Sequence, residues 1–177
     1  MLVVAATQRE LSPLGAPDTF CCGVGPVEAA LATAHRLAAR RPEAVLHVGI
    51  AGSRTLPPLT VVLGSEAVYC DVLDPSSALP RVERAHPDPP LLERARARLP
   101  EARVLPIATC GRVGGGAGFE VEAMEGFGVL RACELARVPA VELRVVANSP
   151  DEPDRAAWRV DEALAVLRDA LERLDVV

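Results

Sequence analysis

Residues 119–150 constrain the fold more than any other part of this chain. A stretch with helical periodicity is broken at Val138-Pro139, and an apolar run from Ala140 to Ala147 then ends on the polar Asn148. Proline cannot continue a helix, so a helix expected to start near Val121 stops there and the following run reads as a buried strand. On that helix Phe127, Leu130 and Cys133, with Val129, Ala132 and Ala136 beside them, make a wide apolar face, and Arg131 and Glu134 fall on the other side. Such an order suggests a functional site at Asn148, where the strand ends. Glu122 and Glu125, placed in the first turn of the expected helix, have two readings from chemistry alone: complements to the positive end of the helix dipole, or members of that site.

The remainder of the chain repeats this grammar. Leu2 to Ala6 reads as a first buried strand ending in the polar loop Thr7-Gln8-Arg9-Glu10, and Thr19 to Val24 as a second. Gly23-Val24-Gly25-Pro26 then turns into a helix with Val27, Ala30, Leu31, Ala34 and Leu37 on one face, and His35 near its end as a dipole partner. Ala44 to Val48 is expected as strand three, closed by a turn at Gly49-Ile50-Ala51-Gly52-Ser53. Strand four spans Thr60 to Val72 with a bend at Gly64, and a loop rich in Pro, Ser and Asp runs from Pro75 to Pro90. A short helix through Leu91, Leu92, Ala95 and Leu99 precedes strand five at Arg103 to Thr109. The segment from Cys110 to Gly118, with its run Gly114 to Ala117, reads as a compact mobile connector. A last helix from about Ala156 carries Val160, Leu164, Leu167, Leu171 and Leu174. The whole implies a single α/β domain over residues 1–177, with a mostly parallel central sheet flanked by helices.

Composition narrows the function. The formal net charge of -5 and an aromatic content of 3% leave neither a basic footprint nor a stacking platform for a long nucleic acid, so a small-molecule ligand is expected. Every basic side chain is arginine; without lysine there is no Schiff base, pyridoxal phosphate anchor or Walker-A site. The five cysteines have no C-x-x-C spacing and read as buried thiols, so neither a disulfide frame nor a metal site is expected. No stretch reaches membrane-span length, and Met1-Leu2-Val3-Val4 lacks a basic signal-peptide start, which points to the cytoplasm.

Met124-Glu125-Gly126, followed by Glu142-Leu143-Arg144-Val145-Val146-Ala147-Asn148, resembles the Met-Glu and Arg-x-x-Ser-Asp/Asn segments of the nucleoside phosphorylase and nucleosidase superfamily. The continuation Asp154-Arg155-Ala156-Ala157-Trp158 is most similar to the futalosine hydrolase family, menaquinone-pathway enzymes that remove hypoxanthine from futalosine. The resemblance implies a nucleoside phosphorylase-like fold, no cofactor, a nucleoside substrate, and a homodimer or higher homo-oligomer with Tyr69 and its strand near the contact. It also implies roles. Glu125 would grip both ribose hydroxyls, Met124 would accompany it, and Glu10 would orient the attacking water. The Gly49-Ile50-Ala51-Gly52 turn would bring bare backbone at Ala51 and Gly52 beside ribose and base. From its position alone, Glu10 has a second reading as a solvated loop carboxylate.

Relatives carry a longer segment with a purine-stacking Phe where this chain has its glycine run, and Phe119 is the candidate substitute. Adenine-releasing relatives place an aspartic acid at the position of Asn148. An amide offers two donors to the O6 and N7 acceptors of a 6-oxopurine, so Asn148 favours hypoxanthine as the leaving base. A phosphorylase using Arg9 and Arg54, an adenine-releasing nucleosidase, a non-catalytic nucleoside-binding relative, and an Asn148 that only satisfies the turn before Pro150 remain as alternatives.

Overall fold

The computed structural model describes residues 1–177 apart from Leu73, Pro75, Ser77, Ala117 and Val177. Pro75 in the expected 75–90 loop and Ala117 in the glycine run therefore lie outside the described residues. Strands β1 (Leu2–Ala5), β2 (Thr19–Cys21), β3 (Val45–Ser53), β4 (Val61–Tyr69), β5 (Arg84–Ala85), β6 (Arg103–Thr109), β7 (Val121–Ala123) and β8 (Ala140–Asn148) form one sheet. Helices α1 (Gln8–Leu11), α2 (Pro26–Ala39), α3 (Pro89–Arg98), α4 (Gly126–Ala136) and α5 (Val160–Arg173) connect and cover it.

The α/β expectation holds, and the sheet adds something to it. Pairings β1–β2, β1–β3, β3–β8, β4–β6 and β6–β7 are parallel, whereas β3–β7, β4–β5 and β4–β8 are antiparallel. The sheet is thus mixed, and it closes: β8 pairs with both β3 and β4, and β7 bridges β3 and β6. Two bulges bend the strands that close it: Ala147 of β8 is the extra residue opposite Ala51 and Gly52 of β3, and Ser65 of β4 the extra residue opposite Leu105 and Pro106 of β6. The bend expected at Gly64 is present. The expected turn at 49–53 is instead the second half of β3.

Side chains alternate across the long parallel pair β3–β8. Leu46, Val48, Leu143 and Val145 face the cluster formed with Leu164, Leu167 and Leu171 of α5, and Val45 and Ala140 face the cluster shared with Ala29 of α2 and Val129 of α4. Val62, Ile107, Val121 and Val146 belong to a third, smaller cluster. On α2 the buried positions are Ala29, Thr33 and Leu37, while Val27 and Leu31, expected inward, are exposed. The face turned because Gly128 of α4 brings the two helices very close along the small residues of α2.

Candidate active site

The site begins with a capping box. Thr7 caps the one-turn helix α1: its hydroxyl accepts from the Glu10 amide at 3.3 Å, and its own amide and hydroxyl donate to Glu10 Oε2 at 2.9 and 2.8 Å. The segment expected as a loop is therefore folded back on itself, which aims the remaining carboxylate oxygen at β3, where the Ile50 amide donates to Oε1 at 3.3 Å. The Thr-x-x-Glu spacing that produces this is visible in the sequence.

Val121–Ala123, expected as the start of a helix, is β7. The helix begins at Gly126 and Glu125 is its N-cap residue, with no capping hydrogen bond from its side chain. That carboxylate turns inward: Oε1 accepts from the Gly25 amide at 3.2 Å and Oε2 from Arg144 Nη2 at 3.3 Å. Glu122 lies on β7, where its carboxylate accepts from Arg54 at 3.2 Å, from the Gly116 amide at 3.0 Å and from the Gly114 amide. Arg54 also donates to the Phe119 carbonyl at 3.1 Å. The described part of the glycine run, read above as a mobile connector, is clamped by this ion pair.

Arg144 is the centre of the arrangement. It shares one face of β3 and β8 with His47, Gly49 and Glu142, because His47 is in register with Glu142 and Gly49 with Arg144. Its Nε donates to Glu142 Oε1 at 2.8 Å, Nη1 to the Ile50 carbonyl at 3.3 Å, and Nη2 lies 3.1 Å from His47 Nε2. Glycine at 49 makes room for this contact: a Cβ there would stand 2.5 Å from Arg144 Nη1 and 2.7 Å from Glu10 Oε1, and would displace both groups. Burial opposes the charge on Arg144, but Glu142, Glu125 and Glu10 outweigh it and hold the guanidinium protonated. Burial, with Arg144 adding to it, pushes His47 well below its ordinary value, so the imidazole is neutral. Burial also raises Glu142, with Arg144 pulling it back.

Above this cluster opens a cavity of about 490 Å³, within the range of a nucleoside-sized ligand site. Glu10, Ala51, Gly52, Met124, Glu125 and Asn148 all line it. Gly52 and Asn148 are register partners across β3 and β8, and one Asn148 amide hydrogen is donated to the Ser149 carbonyl at 3.0 Å. Phe119 does not line the cavity; the aromatic ring on its wall is Trp158, with the Arg155 guanidinium 5.5 Å above it. The readings from residues alone missed His47, Glu142 and Trp158, and left Glu122 between a dipole complement and a member of the site. Glu142 and Arg144 did leave a signal, two charges spaced by two residues inside an otherwise apolar central strand.

A family model described as the phosphorylase superfamily matches residues 19–123. The futalosine hydrolase of Streptomyces coelicolor is 36% identical over 89% of this chain and 77% of its own length, and that of Acidothermus cellulolyticus 32% identical over 89% and 74%. The chain belongs to the phosphorylase superfamily, in the family of the futalosine hydrolases. Among solved structures, the native futalosine hydrolase of Helicobacter pylori superposes with a TM-score of 0.86 at 17% identity, covering 98% of this chain and 96% of that one. The 5'-methylthioadenosine/S-adenosylhomocysteine nucleosidase of Neisseria meningitidis, in complex with methylthio-immucillin-A, gives 0.80 at 21%, covering 99% and 96%. At those identities the structures establish the fold.

Proposed function

We propose that this chain hydrolyses the N-glycosidic bond of futalosine, releasing hypoxanthine and leaving dehypoxanthine futalosine, in menaquinone biosynthesis. The observation that carries the reading is the imbalance of charge beneath the cavity: three carboxylates, Glu10, Glu125 and Glu142, surround the single guanidinium of Arg144, and His47 is neutral. A ribosyl group that becomes oxocarbenium-like as the bond to the base stretches is stabilised by such a surplus of negative charge. Glu125, held at Oε1 and Oε2 by the Gly25 amide and Arg144, presents its remaining lone pairs to the ribose hydroxyls. Glu10 accepts a proton from the water that attacks the anomeric carbon. The base departs with its electron pair toward Asn148, whose remaining amide hydrogen donates to one of the base's acceptors; the anion becomes hypoxanthine by taking a proton from solvent, and Glu10 returns to solvent the proton it took from water.

The same charge argues against a phosphorylase, because a phosphate dianion entering beside Glu10 and Glu125 would be repelled. Both arginines considered for phosphate are already paired with carboxylates. Arg54 does not line the cavity and is engaged with Glu122, which does, while Arg9 lines it and pairs with Asp161 at 2.7 Å. Asn148→Asp tests the assignment of the leaving base. It is expected to lower kcat/KM on futalosine and raise it on 5'-methylthioadenosine, and an unchanged ratio between the two substrates would count against Asn148 as the base-reading residue.

A homodimer or higher homo-oligomer in the cytoplasm completes the proposal. Val24, which lines the cavity, and Val27 and Leu31 of α2 are 55, 64 and 65% exposed, an apolar strip suited to a second subunit. Tyr69, expected near the contact, has its ring stacked on Phe127 at 5.1 Å within the chain. Among the described residues, no helix is long and apolar enough to cross a membrane.

A further inference from the structure

Glu142 does not line the cavity, yet it is wholly buried and takes the shortest hydrogen bond that Arg144 makes, 2.8 Å from Nε. A buried carboxylate is retained at considerable cost unless another group depends on it. Its second oxygen, Oε2, has no hydrogen-bond partner among the described residues and packs against the start of α4, where a Cβ on Gly126 would be only 2.4 Å away. Confined on that side by α4 and on another by Gly64 of β4, the carboxylate has the guanidinium as its one hydrogen-bond partner among the described residues, with Nδ1 of the neutral His47 3.8 Å from Oε1. Arg144 in turn divides its remaining nitrogens among Glu125, His47 and the Ile50 carbonyl, at 3.3, 3.1 and 3.3 Å.

We propose that Glu142 is a positioning residue for the reaction: it anchors the Nε edge of Arg144, so that the guanidinium holds Glu125 at ribose distance instead of collapsing onto it. The Glu125–Arg144 contact at 3.3 Å is long for a charge-assisted bond, as expected when a closer carboxylate restrains the guanidinium from behind. Release that restraint and Arg144 moves toward Glu125, drawing its lone pairs away from the ribose hydroxyls. The effect falls on turnover more than on binding, because the hydroxyl contacts tighten as the ring becomes cationic.

This inference rests on the futalosine reading, and parental turnover of futalosine tests that reading separately; only variant-to-parent ratios test Glu142. Glu142→Gln keeps the shape and removes the charge. It is expected to lower kcat about tenfold with KM within about twofold, the size of a charge-assisted bond reduced to a neutral one. Combined with Glu125→Gln, the losses are expected not to multiply, since Glu142 acts only through Glu125. A residue with a purely structural role would lower the melting temperature, leave kcat per folded molecule at the parental value, and give independent effects. Parental kcat in a folded Glu142→Gln variant, or losses that multiply with those of Glu125→Gln, would overturn the proposal. If Glu142→Gln does not fold, Glu142→Asp, which keeps the charge but withdraws it by one methylene, enters the same cycle with the same expected and contrary results.

Discussion

His47 sits fully buried as a neutral imidazole beside Arg144, its protonation opposed by burial first and by the guanidinium second. In the unfolded chain the ring regains its ordinary value of 6.5. Below that pH the unfolded state binds a proton that the folded state refuses, so stability falls as the medium is acidified toward the depressed folded value. Glu142 has the opposite sign: raised above its ordinary 4.5, it gives the folded state the extra proton in the window just above that value. The difference between parent and His47→Gln isolates the histidine. Urea unfolding from pH 7.5 downward is expected to show a slope of up to about 1.4 kcal/mol per pH unit in the parent that the variant lacks. Equal slopes would mean that His47 is protonated in both states. Glu125→Gln, which removes one of the two charges Glu125 and Arg144 exchange, is expected to lower kcat/KM at least about tenfold, a loss of roughly 1.5 to 3 kcal/mol, read by hypoxanthine release. A helix-dipole role would cost only about 0.3 to 1 kcal/mol of stability and spare turnover. The residues that touch ligand in this account were mostly readable from the sequence, because Glu10, Asn148, Met124 and Glu125 stand in recognisable motifs. The supporting residues were not: what makes His47 and Glu142 neighbours is a parallel register across ninety-five positions of chain (142 − 47), and one sequence contains no information about pairing at that range.

Helices α2 and α4 meet at a point that explains why sequence periodicity misplaced the buried face of α2. A Cβ on Gly128 would lie 2.5 Å from the Pro26 carbonyl oxygen and 3.0 Å from the Ala30 amide nitrogen. The approach uses backbone rather than large side chains, so Ala29 and Thr33 are buried and Val27 and Leu31 are left outside. Gly128→Ala is therefore expected to destabilise by about 1 to 2 kcal/mol, although alanine favours a helix by about 1, because overpacking outweighs propensity. A raised midpoint in urea would show that the helices have room to part. The other end of α4 offers the reverse case. Arg137 caps it in the left-handed region at φ 54°, donating its amide to the Cys133 and Glu134 carbonyls. Glycine adopts that geometry without strain, and Arg137→Gly is expected to add about 0.5 to 1 kcal/mol. Strand β7 is the element the sequence concealed most fully. Three residues are too few for a period, and Val121–Ala123 runs straight into a helical stretch; only closure between β3 and β6 makes it a strand.

Closure of the sheet is what turns a set of strand ends into one cavity. The bulge of β8 at Ala147 lies opposite Ala51 and Gly52, where β7 joins β3 through Gly52 and Ser53, and β7 then delivers Met124 and Glu125 opposite Glu10 and Asn148. An open, fully parallel sheet would have left Glu125 on a separate crossover, which is why the mixed barrel matters more to function than the α/β class that composition and periodicity already implied. The exposed strip on α2 follows Val24, which lines the same cavity. Sedimentation at micromolar concentration is expected to give a dimer that Val27→Glu converts to monomer; a monomeric parent would contradict the assembly. The central claim is that the carboxylates around Arg144 run a hydrolysis and exclude phosphate from it. Purified protein incubated with futalosine in phosphate-free buffer, with and without added phosphate, tests this most directly. The account predicts hypoxanthine release at the same rate in both, with dehypoxanthine futalosine as the other product. Release that requires phosphate and yields a ribosyl phosphate, or no release at all, would contradict it.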